Sequence, residues 1–219
     1  MRSFAEPAVL LRAALAAALT ALASYPRLAH WGQRPDAVWF YEAVIGWAAF
    51  VMWAAVFAWQ EKHGQREVFP KRVAPSLWLI TVALGLVGAT ISFHFGDPTL
   101  RQLAPTDFPQ NPGQFAEHVL FNLALEQLFL CFAPFAFGVR LLPNAKAAGG
   151  GVVLFGLLVF GLKMQSVAAA ITWELALGLV GFRAFSSAVT VWLYWQGGVW
   201  LVWLFAFLLQ CRHLFAFGG

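Results

Sequence analysis

Three side chains able to hold or move a proton stand four residues apart in a run that is otherwise apolar. In EHVLFNLALEQLFLC, residues 117–131, His118, Asn122 and Glu126 have i, i+4, i+8 spacing, which places them on one face of a helix. A carboxylate at the centre of a bilayer is costly, about 2.5–3.5 kcal/mol for a charged side chain on insertion scales. Glu126, in mid-run, therefore has to be protonated, paired or beside water. Glu117 falls near the end of the run, where water reaches it. The stripe is either a polar site turned into a helix bundle or a set of hydrogen bonds gluing helices together. For Asn122 and Gln127 glue is the expectation, for Glu126 a site, and His118 fits either.

The elements that must position these groups follow from composition. Of 219 residues, 61% are hydrophobic and only 11% charged, with 11 Trp and 22 Phe. A soluble domain carries roughly 25% charge, so the outer surface of this chain has to be lipid. The fold class is all-α, a polytopic transmembrane helix bundle forming one membrane domain over residues 1–219. A spanning helix needs about 20 mostly apolar residues. Seven candidate spans satisfy this: 8–25, 38–60, 74–94, 115–138, 150–170, 173–195 and 198–216. Gln196-Gly197-Gly198 reads as a tight turn between the last two. Residues 95–114, with four prolines, read as a stiff irregular loop. No strand-like alternation suggests a barrel. Glu6 and Arg12 interrupt a signal-peptide layout, so an uncleaved first helix is expected.

Lysine and arginine are unevenly distributed. Arg2, Arg12, Lys62, Arg66, Lys71, Arg72, Arg140 and Lys146 flank one side, and Arg27, Arg34 and Arg101 the other. By the positive-inside rule the N-terminus faces the cytoplasm, as expected for an inner (plasma) membrane protein of a bacterium. The net charge of +4 is explained by this topology, and no basic run interleaved with polar aromatics marks a nucleic-acid partner. The expected partners are the lipid bilayer and other membrane proteins. Further polar groups sit within or beside the apolar runs. Lys163 ends the fifth span, Glu174 opens the next and is a partner for Lys163, and Arg183 follows it. Gln210, Arg212 and His213 close the last span, the latter two as interfacial anchors. Cys131 and Cys211 lie in apolar surroundings, so Cys131 reads as inert core, not as a nucleophile needing an electropositive setting.

Residues 115–216 resemble the CPBP family, the glutamate-type intramembrane proteases related to the CAAX prenyl endopeptidases. Three pieces occur in that family's order: LEQLFLCFAPFAFGVRLLP, GGGVVLFGLLVFGLKMQ and AFSSAVTVWLYWQGGVWLVWLFAFLLQCRHLF. The resemblance implies a glutamate and a histidine activating water, with histidine and asparagine supporting the oxyanion. Glu126 keeps the first position. Gln127 replaces the second glutamate, Cys131 the arginine, Lys163 or Met164 the histidine of the second motif, and Gln210 the histidine of the last. His213 or Leu214 falls where asparagine is expected.

Three functions follow as expectations. The leading one is a CPBP-like protein with degenerate protease motifs, acting as a non-catalytic partner-binding or accessory subunit. The second is an active intramembrane protease with an altered site drawn from Glu126, His118, Gln127, Lys163, Gln210 and His213. The third is a haem- or pigment-binding subunit using His118 or His94, with His213 a further candidate. No CxxCH occurs, no two histidines share a helix at ligand spacing, and no metal site is expected.

Overall fold

A computed structural model describes residues 4–31, 37–59, 67–165 and 171–217. Arg2, Arg34, Lys62 and Arg66, used above for orientation, lie outside them, as do residues 166–170 of the fifth expected span.

Among the described residues the regular structure is entirely helical. Helix α1 is Pro7–Trp31, α2 Val38–Trp59 and α3 Pro75–Ile91. A π turn, Ser92–Gly96, carries α3 directly into α4, Asp97–Leu103. Helix α5, Pro112–Phe121, continues through two π turns, Asn122–Glu126 and Leu128–Phe132, into α6, Ala133–Leu141. Helices α7, Ala145–Met164, and α8, Trp173–Cys211, complete the chain with a final 3-10 turn, Arg212–Phe217. Local chemistry sets the starts. The side-chain oxygens of Asn111 and Asn144 accept from the N–H groups of Gln114 and Ala147 at 2.9 and 2.8 Å, and Pro75 opens α3 where no N–H is required.

Among the described residues, six helical stretches are long and apolar enough to cross a membrane: Pro7–His30, Val38–Trp59, Pro75–Leu103, Pro112–Leu141, Ala145–Met164 and Trp173–Phe215. The third is longer than its sequence suggests, since helix occupies the first part of the expected loop at 95–114. Pro98 sits within the first turn of α4, directly after the π turn, where the hydrogen-bond ladder changes period.

The sixth stretch is bent back on itself. A straight helix of its length would be about twice as long as the ~30 Å hydrocarbon core. The backbone leaves helical geometry at Gly197 (φ −147°, ψ 17°) and Gly198 (φ 63°, ψ −152°). Gly88 packs against both Phe182 and Leu209, on opposite sides of that break, so the two arms of α8 lie side by side. The turn is held by the segment before α3. Val199 N–H donates to Val68 O at 3.0 Å, and Phe69 inserts its ring among Trp53, Phe57, Trp200 and Trp203. A core of Leu128, Phe132, Phe135, Leu193, Tyr194 and Leu201, all fully buried, joins the middle of the chain to α8.

Candidate functional site

The polar residues of the membrane segments form two groups at different depths. The first lies at the π turn Asn122–Glu126. A π turn closes i→i+5 hydrogen bonds, as the Gln127 N–H does to Asn122 O, so side chains five apart come onto one face. Gln127 Nε2 accordingly donates to Asn122 Oδ1 at 3.3 Å, and Asn122 Nδ2 donates to Glu126 Oε2. The stripe read as His118–Asn122–Glu126 thus gains Gln127. Leu123 O, within the π turn, accepts from Trp203 Nε1 at 2.8 Å, which ties this segment to the second arm of α8.

The second group closes one end of the bundle. Asp97, with 5% of its side chain exposed, takes the Nε–H of Arg212 across both carboxylate oxygens at 3.2 Å. Arg101, one helical turn on, approaches Asp97 to 3.8 Å and donates from Nη2 to His213 Nδ1 at 3.0 Å. A guanidinium has no acceptor, so Nδ1 bears the lone pair and the ring proton is assigned to Nε2. His213 Nδ1 also lies 3.9 Å from Asp97, and in this tautomer that approach is not an ion pair. Phe108 seals the group, with the Arg101 guanidinium 4.6 Å over its ring and the His213 ring edge-on at 5.5 Å. Nearby at the same end, Lys163 Nζ meets Asp107 Oδ2 at 3.0 Å, and Glu117 Oε2 lies 3.0 Å from His30 Nδ1.

These positions revise several expectations. Arg212 and His213 are not snorkelling anchors: His213 is 3% exposed, and Arg212 is committed to Asp97. Lys163 pairs with Asp107, while Glu174 is exposed. Cys131 is buried in the core, as its apolar neighbours imply. His94 is exposed, with its ring against the edge of Phe93. His118 is half-buried, and among the described residues its Nε2 has no hydrogen-bond partner. Gln210 Oε1 is likewise buried and without a partner among the described residues. So Glu126 and Gln127 are brought together with Asn122, while His213 is bonded to Arg101 and Lys163 to Asp107. These contacts adjoin one another, since His118 lies within electrostatic reach of Arg27, Asp107, Lys163 and His213. Among the described residues no group of three or more His, Cys, Asp or Glu is arranged to hold a metal ion.

Asp97, Arg101, Asp107 and Trp203 were not singled out from sequence. The i, i+4 spacing of Asp97 and Arg101 is the one available signal, since opposite charges at that interval mark a helix. The pairing of Asp97 with Arg212 has no signature in sequence.

Taken together, the helices, their apolar surface and the buried polar network define a polytopic integral membrane protein, with helices apolar enough to sit in a lipid bilayer. Comparison with protein-family models, with curated proteins and with solved structures finds no match for the chain.

Proposed function

We propose that the chain is a seven-span protein of a bacterial inner membrane, N-terminus cytoplasmic, whose C-terminal half has a CPBP-like organisation without the family's protease chemistry. It acts by binding other membrane proteins, as an accessory subunit of a membrane assembly. The observation that carries this reading is that the expected catalytic side chains are each engaged by a different neighbour. Glu126 is held by Asn122, Lys163 by Asp107 and His213 by Arg101. Water activation by a carboxylate needs the base, its water and an oxyanion donor within hydrogen-bond reach of one another. Side chains committed to separate neighbours support retention of a fold rather than of a reaction, and a fold does not by itself carry an activity. The seventh span rests on the reversal at Gly197–Gly198, and the orientation on the excess of Lys and Arg at one end.

A second reading, an intramembrane protease built around Glu126, draws support from the π turn that ends at this residue and the one that begins at Leu128. Such turns recur at functional sites. Membranes of the native host carrying wild type or Glu126→Gln separate the two. A binding subunit keeps its co-purifying proteins in the variant, and no precursor accumulates. An uncleaved precursor accumulating at unchanged protein level overturns the binding reading in favour of the protease.

A further inference from the structure

A cavity of about 660 Å³ opens at the end of the bundle opposite Asp97 and His213, lined by residues 70–75 together with Trp78 and Trp200. Its walls combine three kinds of group. Lys71 and Arg72 are exposed at its rim, and among the described residues neither meets an acid. Trp78 and Trp200 are partly exposed, at 38% and 41%, in the manner of indole rings at a membrane interface. Between them α3 begins, and its first residue outside the helix, Ala74, makes no side-chain cap.

The cations are held on a fixed strap. Phe69 is locked among four aromatic rings, Val68 O is bonded to Val199 N–H, and Val73 Cγ1 lies 3.2 Å from where a Cβ on Gly197 would be. Lys71 and Arg72 are thus presented at a set place instead of trailing from a mobile loop. Their end of the bundle also carries Arg140 and Lys146, the side where basic residues meet the anionic surface of a membrane.

We infer that this cavity binds a phosphate-bearing anion, with Lys71 and Arg72 contacting the phosphate and Trp78 and Trp200 the adjoining apolar or glycerol portion. The phosphate comes either from an anionic lipid headgroup or from a soluble anion, and the two are distinguishable. The inference is independent of the binding-subunit reading, because it concerns the other end of the molecule and does not involve Glu126.

The test uses the full chain in phosphatidylcholine nanodiscs, with and without phosphatidylglycerol, and with inorganic phosphate added to the lipid-free side. Retention of phosphatidylglycerol by the protein is read by native mass spectrometry. Preferential retention is expected. Lys71→Ala/Arg72→Ala weakens it about 30-fold, the sum of two interfacial cations at about 1 kcal/mol each. The charge-keeping pair Lys71→Arg/Arg72→Lys retains most of it, which also shows that the strap still folds. If inorganic phosphate competes, the site takes a free anion. If it does not, the site takes the lipid headgroup. No preference for phosphatidylglycerol together with no phosphate binding overturns the inference. So does an equal loss of binding in Arg140→Ala/Lys146→Ala, which would make the effect one of general surface charge.

Discussion

Asp97 and Arg212, 115 residues apart, meet at 3.2 Å and tie the end of the third span to the end of the chain's last helix. The pair is buried, so its halves are unequal to the whole. Removing one partner strands the other, at a cost of about 3–5 kcal/mol, whereas replacing both with apolar residues of similar volume is often neutral. Asp97→Leu or Arg212→Met alone is therefore expected to lower the unfolding temperature in detergent sharply. The double variant is expected to be more stable than either single one. Additive losses would show that the pair is not a coupled unit.

Gly198 sits at φ 63° and ψ −152°, a conformation open to glycine and strained for any residue with a Cβ. A Cβ there would also lie 2.5 Å from Val68 O. Gly198→Ala is expected to destabilise the protein by at least about 1–3 kcal/mol. A Cβ on Gly197 would crowd side chains only, Leu201 and, at 3.2 Å, Val73 Cγ1, and at a φ open to any residue, so Gly197→Ala is expected to cost less. Thermal unfolding of the two variants side by side checks the order.

Trp203 donates to the carbonyl of Leu123, within the π turn. Trp203→Phe keeps the aromatic packing against Phe69 and Trp200 but removes that donor, and a loss of about 0.6–1.7 kcal/mol is expected for a side-chain hydrogen bond inside a membrane bundle. Hydrogen exchange at residues 122–128 should rise in the variant if the bond stabilises the π turn, and stay unchanged if it does not.

The proposed seven-span arrangement predicts which positions share a side. In a background lacking Cys131 and Cys211, Thr106→Cys and Phe215→Cys are both expected to react with an impermeant maleimide added outside intact cells, whereas Lys71→Cys reacts only after permeabilisation. Labelling of Phe215→Cys only after permeabilisation would mean that α8 crosses once.

What could be read from sequence and what could not divide along physical lines. Long apolar runs announce membrane helices because every backbone polar group in lipid must be bonded within its own segment. The presence of long apolar helices was therefore legible, though not all of their ends, and the Gly197–Gly198 turn was visible because consecutive glycines interrupt the apolar run. Residues 95–103 were misread as loop because prolines suggest breakage, yet Pro98 directly follows the π turn, where the hydrogen-bond ladder changes period. Gln127 was assigned apart from the stripe because spacing was judged at the α-helical period, and a π turn changes the period locally without a compositional mark. Arg212 and His213 looked like anchors because a cation near a span end usually reaches for water. Only the tertiary partner Asp97 makes them interior.

The strap at residues 67–73 has a consequence for biogenesis. It leaves the ribosome well over a hundred residues before Gly198 is made, and Trp200 and Trp203 do not yet exist when Phe69 first docks against Trp53 and Phe57. Arg212 is synthesised later still, 115 residues after Asp97, which until then has Arg101 beside it but not Arg212. The last helical hairpin therefore acts as a keystone: until it inserts, the nascent chain lacks the Arg212 partner of Asp97 and presents an open aromatic seam.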